Sequence, residues 1–248
     1  MVRDDLGNRM KQYETVPKSR LIQRMPVIIR IDGKAFHTFT KGFKRPFDMN
    51  LIVTMQDVTK YLCENIQGCV LGYTQSDEIT LVLVDYKKFT SSSWFDSEVQ
   101  KMCSIAASMA TMTFNKIFKQ YASNDMYKNA LEKGAMFDAR VFNIPKEEVT
   151  NNIYWRQLDA SRNSIQMLGQ AHFSHKQLQN QSCSNIQDML MEEKGINWND
   201  LQIHQKRGTC VVKDESSDRS KWKIDTDVPI FKGEGREYID KLIYVGEE

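Results

Sequence analysis

The segment at positions 26–33, PVIIRIDG, constrains the fold most strongly because it is an apolar run that ends on an acid. Side chains of a β-strand alternate between its two faces. The odd-numbered residues of this run are therefore predicted to face a core, while Arg30 and Asp32 share the opposite face. Such a strand needs a sheet that buries one face and leaves polar groups at its end.

A second acidic pair, Asp77 and Glu78, opens another apolar run about 45 residues later. If Asp32 and Asp77 come from neighbouring strands, two carboxylates about 4 Å apart repel each other by about 4 kcal/mol at an effective dielectric of 20. Mg²⁺ turns that repulsion into coordination, because it prefers oxygen ligands. The pattern therefore points to metal-assisted chemistry on a phosphate substrate.

The composition limits both the class of protein and its cellular location. The 248-residue chain has 34 basic and 32 acidic residues, a net charge of +2. This balance excludes a generally cationic nucleic-acid binder but leaves room for a local basic groove. Five cysteines without a C-x-x-C motif fit a reducing cytosol, and the apolar runs are too short to span a membrane. We expect a cytoplasmic protein with no membrane segment.

The hydrophobic periodicity predicts a β-α-β-β-α-β order. The six elements are predicted at 26–32 (strand), 48–67 (helix), 69–73 and 78–84 (strands), 99–117 (helix) and 137–144 (strand). Residues 74–77 form a hairpin turn, with Asp77 at its tip or opening the return strand. This order is the split βαβ arrangement of α+β, ferredoxin-like folds, with an antiparallel sheet and two helices on one face. We expect the other face to stay open for a substrate.

Six short segments resemble motifs of the tRNA(His) guanylyltransferase family and occur in the same order. They are LGNRMKQYE at 6–14, RIDGKAFH at 30–37, RPFD at 45–48, QSDE at 75–78, FDARV at 137–141 and WRQLDA at 155–160. The resemblance implies a polymerase-palm-like domain that adds nucleotides to the 5′ end of tRNA in the 3′-to-5′ direction. It also implies two Mg²⁺ ions, ATP and GTP as substrates, and a homotetramer.

One segment departs from the eukaryotic branch of this family. That branch has a His-Ile-Asn-Asn-Leu-Tyr-Asn segment directly after the Trp-Arg-Gln element, whereas this chain has SRNSIQM at 161–167. The chain therefore resembles the guanylyltransferase-like branch, which restores missing 5′ nucleotides by copying the opposite strand of the acceptor stem. Untemplated addition of one G to tRNA(His) stays open as an alternative.

Segments outside the core pattern complete the predicted organisation. They are a helix over 5–14, a loop over 35–46, a helix over 146–168, and strands over 207–213 and 222–231. Polar residues dominate 174–188. We assign residues 1–168 to a palm-like catalytic domain. Residues 169–248 are a C-terminal elaboration, packed on the same domain, that contributes to RNA binding or oligomerisation.

The candidate site residues fall into three groups. Asp32, Asp77 and Glu78 are the predicted catalytic acids, and Asp32, Asp77 and the Gly33 carbonyl are the predicted metal ligands. The predicted nucleotide-binding residues are Arg30, Lys34, Phe36, His37, Arg45 and Ser76. The activated 5′ phosphate or RNA is assigned to Arg140, Arg156, Asp159 and Asn163, with a structural ion pair as the alternative for the first three.

Two further readings come from other classes. A palm-type nucleotide cyclase also pairs an acid-ended strand with an acidic hairpin, but the hairpin here lacks the paired glycines expected of diguanylate synthesis. A non-catalytic RNA-binding module is disfavoured because Asp32, Gly33 and Asp77 are present together.

Overall fold

A computed structural model describes residues 4–214 and 221–244. Its centre is one antiparallel sheet of six strands in the order β4-β1-β3-β2-β5-β6. The strands are β1 (Val27–Gly33), β2 (Cys69–Gln75), β3 (Glu78–Leu83), β4 (Phe137–Asn143), β5 (Thr209–Lys213) and β6 (Trp222–Asp225). The four predicted strands form its first part, so the predicted α+β, ferredoxin-like class is confirmed.

The two predicted helices cover the first face of this sheet. They are α3 (Met49–Asn65) and α4 (Val99–Tyr121), and they pack on the odd-numbered residues of β1, as the alternation predicts. Asp48 begins α3 as its N-cap, since its carboxylate accepts a hydrogen bond from the Leu51 amide at 3.1 Å. Gly68, with a φ of 79°, follows α3 and leads the chain into β2.

The expectation that the second face stays open is wrong for most of the sheet. Helix α6 (Lys146–His172) and helix α10 (Glu237–Ile243) pack on it. The reason is that this face is also apolar away from the strand ends, where Ile28 and Val82 lie opposite each other and contribute to a second core. The end of β1 beside the β2–β3 hairpin keeps polar groups free of this cover, and so does the neighbouring part of β4, where Asp138 and Arg140 are exposed.

Shorter helices complete the chain. They are α1 (Asp5–Thr15), α2 (Phe36–Phe39), α5 (Lys128–Lys133), α7 (His175–Leu178), α8 (Cys183–Lys194) and α9 (Ile203–Arg207). Segment 35–46, predicted as a loop, contains the single turn α2, and the polar stretch 174–188 is largely helical. Strand β6 ends at Asp225, so the strand predicted over 222–231 is shorter than expected.

Helix α8 packs against the C-terminal half of α6. Ile186 and Leu190 of α8 are buried against Ile165 and Leu168 of α6 in a third apolar cluster. The end of α6 and the turns after it lie beside Arg45 of the 35–46 segment. Within residues 4–214 and 221–244, no helix is long and apolar enough to cross a membrane.

Candidate active site

Asp32, Gly33 and Asp77 meet where β1 ends beside the tip of the β2–β3 hairpin. Asp32 and Gly33 are the last residues of β1, while Ser76 and Asp77 form the turn between β2 and β3. The Gly33 amide donates a 3.2 Å hydrogen bond to the Asp77 carbonyl oxygen and so ties the strand end to the turn. All four residues line one cleft. The structure thus brings together the two aspartates that the sequence places 45 positions apart.

The Asp77 carboxylate is poorly solvated and close to a second negative charge. Burial raises the pKa of Asp77 above its ordinary value of 3.8, and the charge of Asp32 adds to this rise. Two hydrogen bonds oppose it, one from the backbone and one from the Ser76 hydroxyl, which donates to Asp77 Oδ1 at 3.1 Å. A cation between the two acids would relieve both burial and repulsion.

The same cleft is rich in cationic side chains. Its volume is about 650 Å³, within the range of ligand pockets. Segment 37–45, between β1 and α3, contributes the exposed cationic side chains of Lys41, Lys44 and Arg45, together with the exposed imidazole of His37. Carboxylates and cations in one cleft suit a metal-bound phosphate chain. The carboxylates bind the metal, and the cations neutralise the part of the phosphate charge that the metal does not neutralise.

Glu78 lies outside this cleft and forms ion pairs beneath α6. It is paired across the sheet with Asp32, and its carboxylate oxygens are each 2.7 Å from a guanidinium nitrogen, one of Arg30 and one of Arg156. The Arg156 contact is a close ionic approach without aligned hydrogen-bond geometry. Burial raises the pKa of Glu78, and Arg156 and then Arg30 lower it by less.

This ion-pair network continues along α6. Arg156 also contacts Asp159 at 2.5 Å, and Asp159 pairs with Arg162 one turn further on. Arg156 additionally stacks on the Trp155 ring, with its guanidinium carbon 4.1 Å from the ring centroid. The network therefore joins β1, β3 and α6, which fits the structural alternative considered for Arg156 and Asp159.

The remaining predicted residues lie at different distances from the cleft. Arg140 is exposed on β4, 3.3 Å from Asp138 and 4.0 Å from Asp32. Asn163 lines a smaller cavity of about 90 Å³ that adjoins the cleft at Ser76. Lys34 is exposed but does not line the cleft.

Phe36 forms part of the core. Its ring is buried, with the rings of Phe39, Phe114 and Phe137 between 5.0 and 5.6 Å away. A Cβ added at Gly33 would lie 2.2 Å from Phe36 Cδ2. The position of the Phe36 ring therefore explains why residue 33 is a glycine, which the sequence had linked only to metal binding.

Several residues that line the cleft are not among the predicted site residues, and two of them come from a distant helix. Met167 and Gln170 line the cleft from the C-terminal half of α6. The fold brings them there by packing this half of α6 beside segment 37–45. The helical periodicity of the sequence does not predict which other segment this half of α6 contacts, so it could not identify Met167 and Gln170.

Comparison with known proteins identifies the family. The family model described as tRNAHis guanylyltransferase matches residues 7–145, more than half of the chain. The chain belongs to the tRNAHis guanylyltransferase family. The predicted family is therefore confirmed, and with it the prediction that the chain is a nucleotidyltransferase acting on tRNA.

Solved structures and curated relatives agree with this membership. A bacterial tRNA(His) guanylyltransferase-like protein in complex with ATP superposes with a TM-score of 0.88 at 45% identity, covering 98% of this chain and 100% of that chain. Its counterpart in complex with GTP gives a TM-score of 0.83 at 42% identity, with the same coverage. The tRNA(His) guanylyltransferase of Schizosaccharomyces pombe is 27% identical over 218 residues, covering 83% of this chain and 79% of that protein.

The donor set in the cleft fits Mg²⁺ that is shared with a nucleotide. No group of three or more His, Cys, Asp and Glu side chains among residues 4–214 and 221–244 has the geometry of a complete metal site. Mg²⁺ is usually bound by one or two carboxylates together with substrate phosphates and water. Asp32 and Asp77, supplemented by the Gly33 carbonyl, match that incomplete set.

Proposed function

We propose that this protein adds nucleotides to the 5′ end of tRNA by copying the opposite strand, and so repairs 5′-truncated tRNA. The observation that carries the proposal is the cleft in which Asp32 and Asp77 lie together with His37, Lys44 and Arg45. Family membership supplies tRNA as the substrate class, and the SRNSIQM segment at 161–167 supports the repair branch over addition of a single G.

The proposed step is attack by the 3′-hydroxyl oxygen of an incoming NTP on the activated 5′ phosphate of the tRNA. A new phosphodiester bond forms, the hydroxyl proton passes to water, and pyrophosphate leaves from a 5′ triphosphate, or AMP from an adenylylated end. Asp32, Asp77 and the Gly33 carbonyl would hold two Mg²⁺ ions. When bound, such ions lower the pKa of the attacking hydroxyl and stabilise the leaving oxygen.

The cationic side chains of the cleft bind and orient phosphate in this proposal. Arg45 contacts a phosphate through its forked guanidinium, Lys44 neutralises further phosphate charge, and the imidazole of His37 donates a hydrogen bond to the triphosphate. Ser76 holds Asp77 in place through its hydrogen bond. Glu78 acts as a positioning residue, because its ion pairs with Arg30 and Arg156 fix the strand that carries Asp77. Arg140, exposed and paired with Asp138 and Asp32, would contact the 5′ phosphate from the exposed side of Asp32.

Residues 1–168 would then form the catalytic domain, while residues 169–248 add contacts to RNA or to other subunits. We infer a cytoplasmic homotetramer from the family resemblance. Light scattering of the purified protein tests the oligomeric state.

The test uses two tRNAs that lack their first 5′ nucleotide, carry a 5′ triphosphate and differ only in the nucleotide opposite the gap. We expect Mg²⁺-dependent addition of the complementary nucleotide to each. Addition of G to both would favour untemplated addition, and no addition to either would refute the proposed reaction. A cyclic or dinucleotide product formed without RNA would favour a cyclase.

A further inference from the structure

A second cavity borders the cleft and is absent from the predicted site. It has a volume of about 610 Å³, lies between the end of α6, α7 and the start of α8, and shares Arg45 and Gln170 with the cleft. We call it the amide cavity, because five of its ten lining residues are glutamine or asparagine. Its volume suits a nucleotide-sized ligand.

The amides of this cavity are largely uncommitted. The Gln181 oxygen accepts a hydrogen bond from Asn185 at 3.0 Å. The side chains of Gln166, Gln170 and Gln179 have no hydrogen-bond partner among the described residues. Each free amide offers one acceptor and two donors. This combination of donors and an acceptor on one side chain matches the edge of a nucleobase, which also presents donors beside acceptors.

The floor and the charge of the amide cavity limit what it can bind. Phe173, Leu178 and Ile186 form the apolar part of the lining, and the half-buried Leu178 leaves side-chain surface against which a flat ring can pack. Arg45 is the one arginine or lysine among the residues that line it, and no carboxylate lines it. The cleft, by contrast, is lined by Lys41, Lys44 and Arg45. A single phosphate and a neutral base therefore fit the amide cavity better than a triphosphate does.

We infer that the amide cavity binds one unpaired nucleotide of the RNA substrate, from the strand opposite the growing 5′ end. The inference rests on the proposed function, which requires that strand to approach the cleft. The amides of Gln166 and Gln179 bond to the base edge, and Arg45 marks the passage between the two cavities. Unpaired RNA bases are recognised in this way, through their edges and an apolar or aromatic surface.

The test compares two RNA duplexes that differ only in an unpaired 3′ extension, using fluorescence anisotropy without NTPs. The double variant Gln166→Met, Gln179→Met keeps side-chain length and removes both amides. We expect it to bind the extended duplex about tenfold more weakly, as the loss of two neutral hydrogen bonds predicts, and the blunt duplex within about twofold of wild type. Gln187→Met, on α8 outside the cavity, is the matched control.

Three results of the anisotropy measurement would overturn the inference, and a separate ATP and GTP binding titration supplies a fourth. They are an unchanged affinity for the extended duplex, an equal loss for both duplexes, or an equal loss in the Gln187 control. A loss of ATP or GTP binding in place of RNA binding would assign the cavity to free nucleotide and would also overturn it. Extension of 5′-truncated tRNA by the wild type is measured separately. Its absence would refute the proposed reaction and leave extension-selective RNA binding as a result in its own right.

Discussion

Replacing Arg156 with methionine should destabilise the protein in a pH-dependent way. The Arg156 side chain is 5% exposed and lies between two carboxylates, 2.7 Å from Glu78 and 2.5 Å from Asp159. Methionine keeps much of the aliphatic volume but removes the charge. The buried Glu78 then depends on Arg30 alone, and Asp159 depends on Arg162.

The expected loss is about 3 kcal/mol of unfolding free energy at pH 7.5. Removing one partner of a buried ion pair typically costs about 3–5 kcal/mol, because the other charge is left buried. Because Arg30 still compensates part of the Glu78 charge, we place the expected loss at the lower end of this range of about 3–5 kcal/mol. Urea denaturation, followed by tryptophan fluorescence without metal, nucleotide or RNA, measures this loss.

The pH dependence separates this cause from a simple loss of packing. Arg156 is the largest influence that lowers the pKa of Glu78, so the variant has a Glu78 pKa even further above the ordinary 4.5. A carboxyl whose folded pKa is raised destabilises the native state as pH rises through that range, and protonation relieves the cost at lower pH. The loss caused by Arg156→Met should therefore be smaller at pH 5 than at pH 7.5.

Arg162→Met is the matched control. Arg162 also pairs with Asp159, but its side chain is 61% exposed, so solvent screens the pair and we expect a loss below about 1 kcal/mol. The reasoning is refuted if the Arg156 variant loses less than about 1 kcal/mol, or if its loss is the same at both pH values. Either result would return Arg156 to the group of residues that contact the 5′ phosphate.

Two further changes test the local structure around the cleft. Gly33→Ala should cost about 1–3 kcal/mol in urea denaturation, because the new Cβ would lie 2.2 Å from the Phe36 ring. Gly42→Ala is the control, because its new Cβ meets no atom within 4 Å, and its φ of 92° alone should cost about 1 kcal/mol. An equal cost for the Gly33 and Gly42 variants would show that the Phe36 ring does not exclude a side chain at position 33. Tyr127→Phe should cost about 1 kcal/mol at pH 8 by removing the 2.9 Å hydrogen bond to Asp48. Burial and this hydrogen bond raise the pKa of Tyr127 to about 12, so the wild type, unlike the variant, should lose this stabilisation between about pH 10 and pH 12 in melting experiments.

The first part of the fold was predictable because its strands and helices have clear periods. The alternating residues of β1 identify its core face, and the spacing of Met55, Val58 and Leu62 identifies α3. The acid at the end of β1 and the acid in the hairpin turn were enough to predict that the two would meet, since a β-α-β-β order places those ends side by side.

The features that were missed depend on contacts between distant segments. The cover on the second face packs on apolar residues of β1 and β3 such as Ile28 and Val82. Each is flanked by apolar residues that face the first core, so no alternation of apolar and polar residues marked this face as the open one. Helix α8 shows only Ile186 and Leu190 as buried residues within a polar stretch, so its helical period is weak. Gln170 reaches the cleft only because α6 packs there, and no local pattern records that packing.

The pair of aspartates is tested most directly by 5′ extension of truncated, 5′-triphosphorylated tRNA with Asp32→Asn, Asp77→Asn and Asp138→Asn at equal Mg²⁺. Asp138 lies opposite Asp32 across β1 and β4 but does not line the cleft, which makes it the matched control. We expect each of the first two variants to lose extension by at least about 100-fold, with tRNA affinity within about twofold of wild type, because only the metal ligands are changed. The Asp138 variant should extend within a few-fold of wild type. Extension by the Asp77 variant at a rate close to wild type would contradict the shared metal site on which the whole account depends.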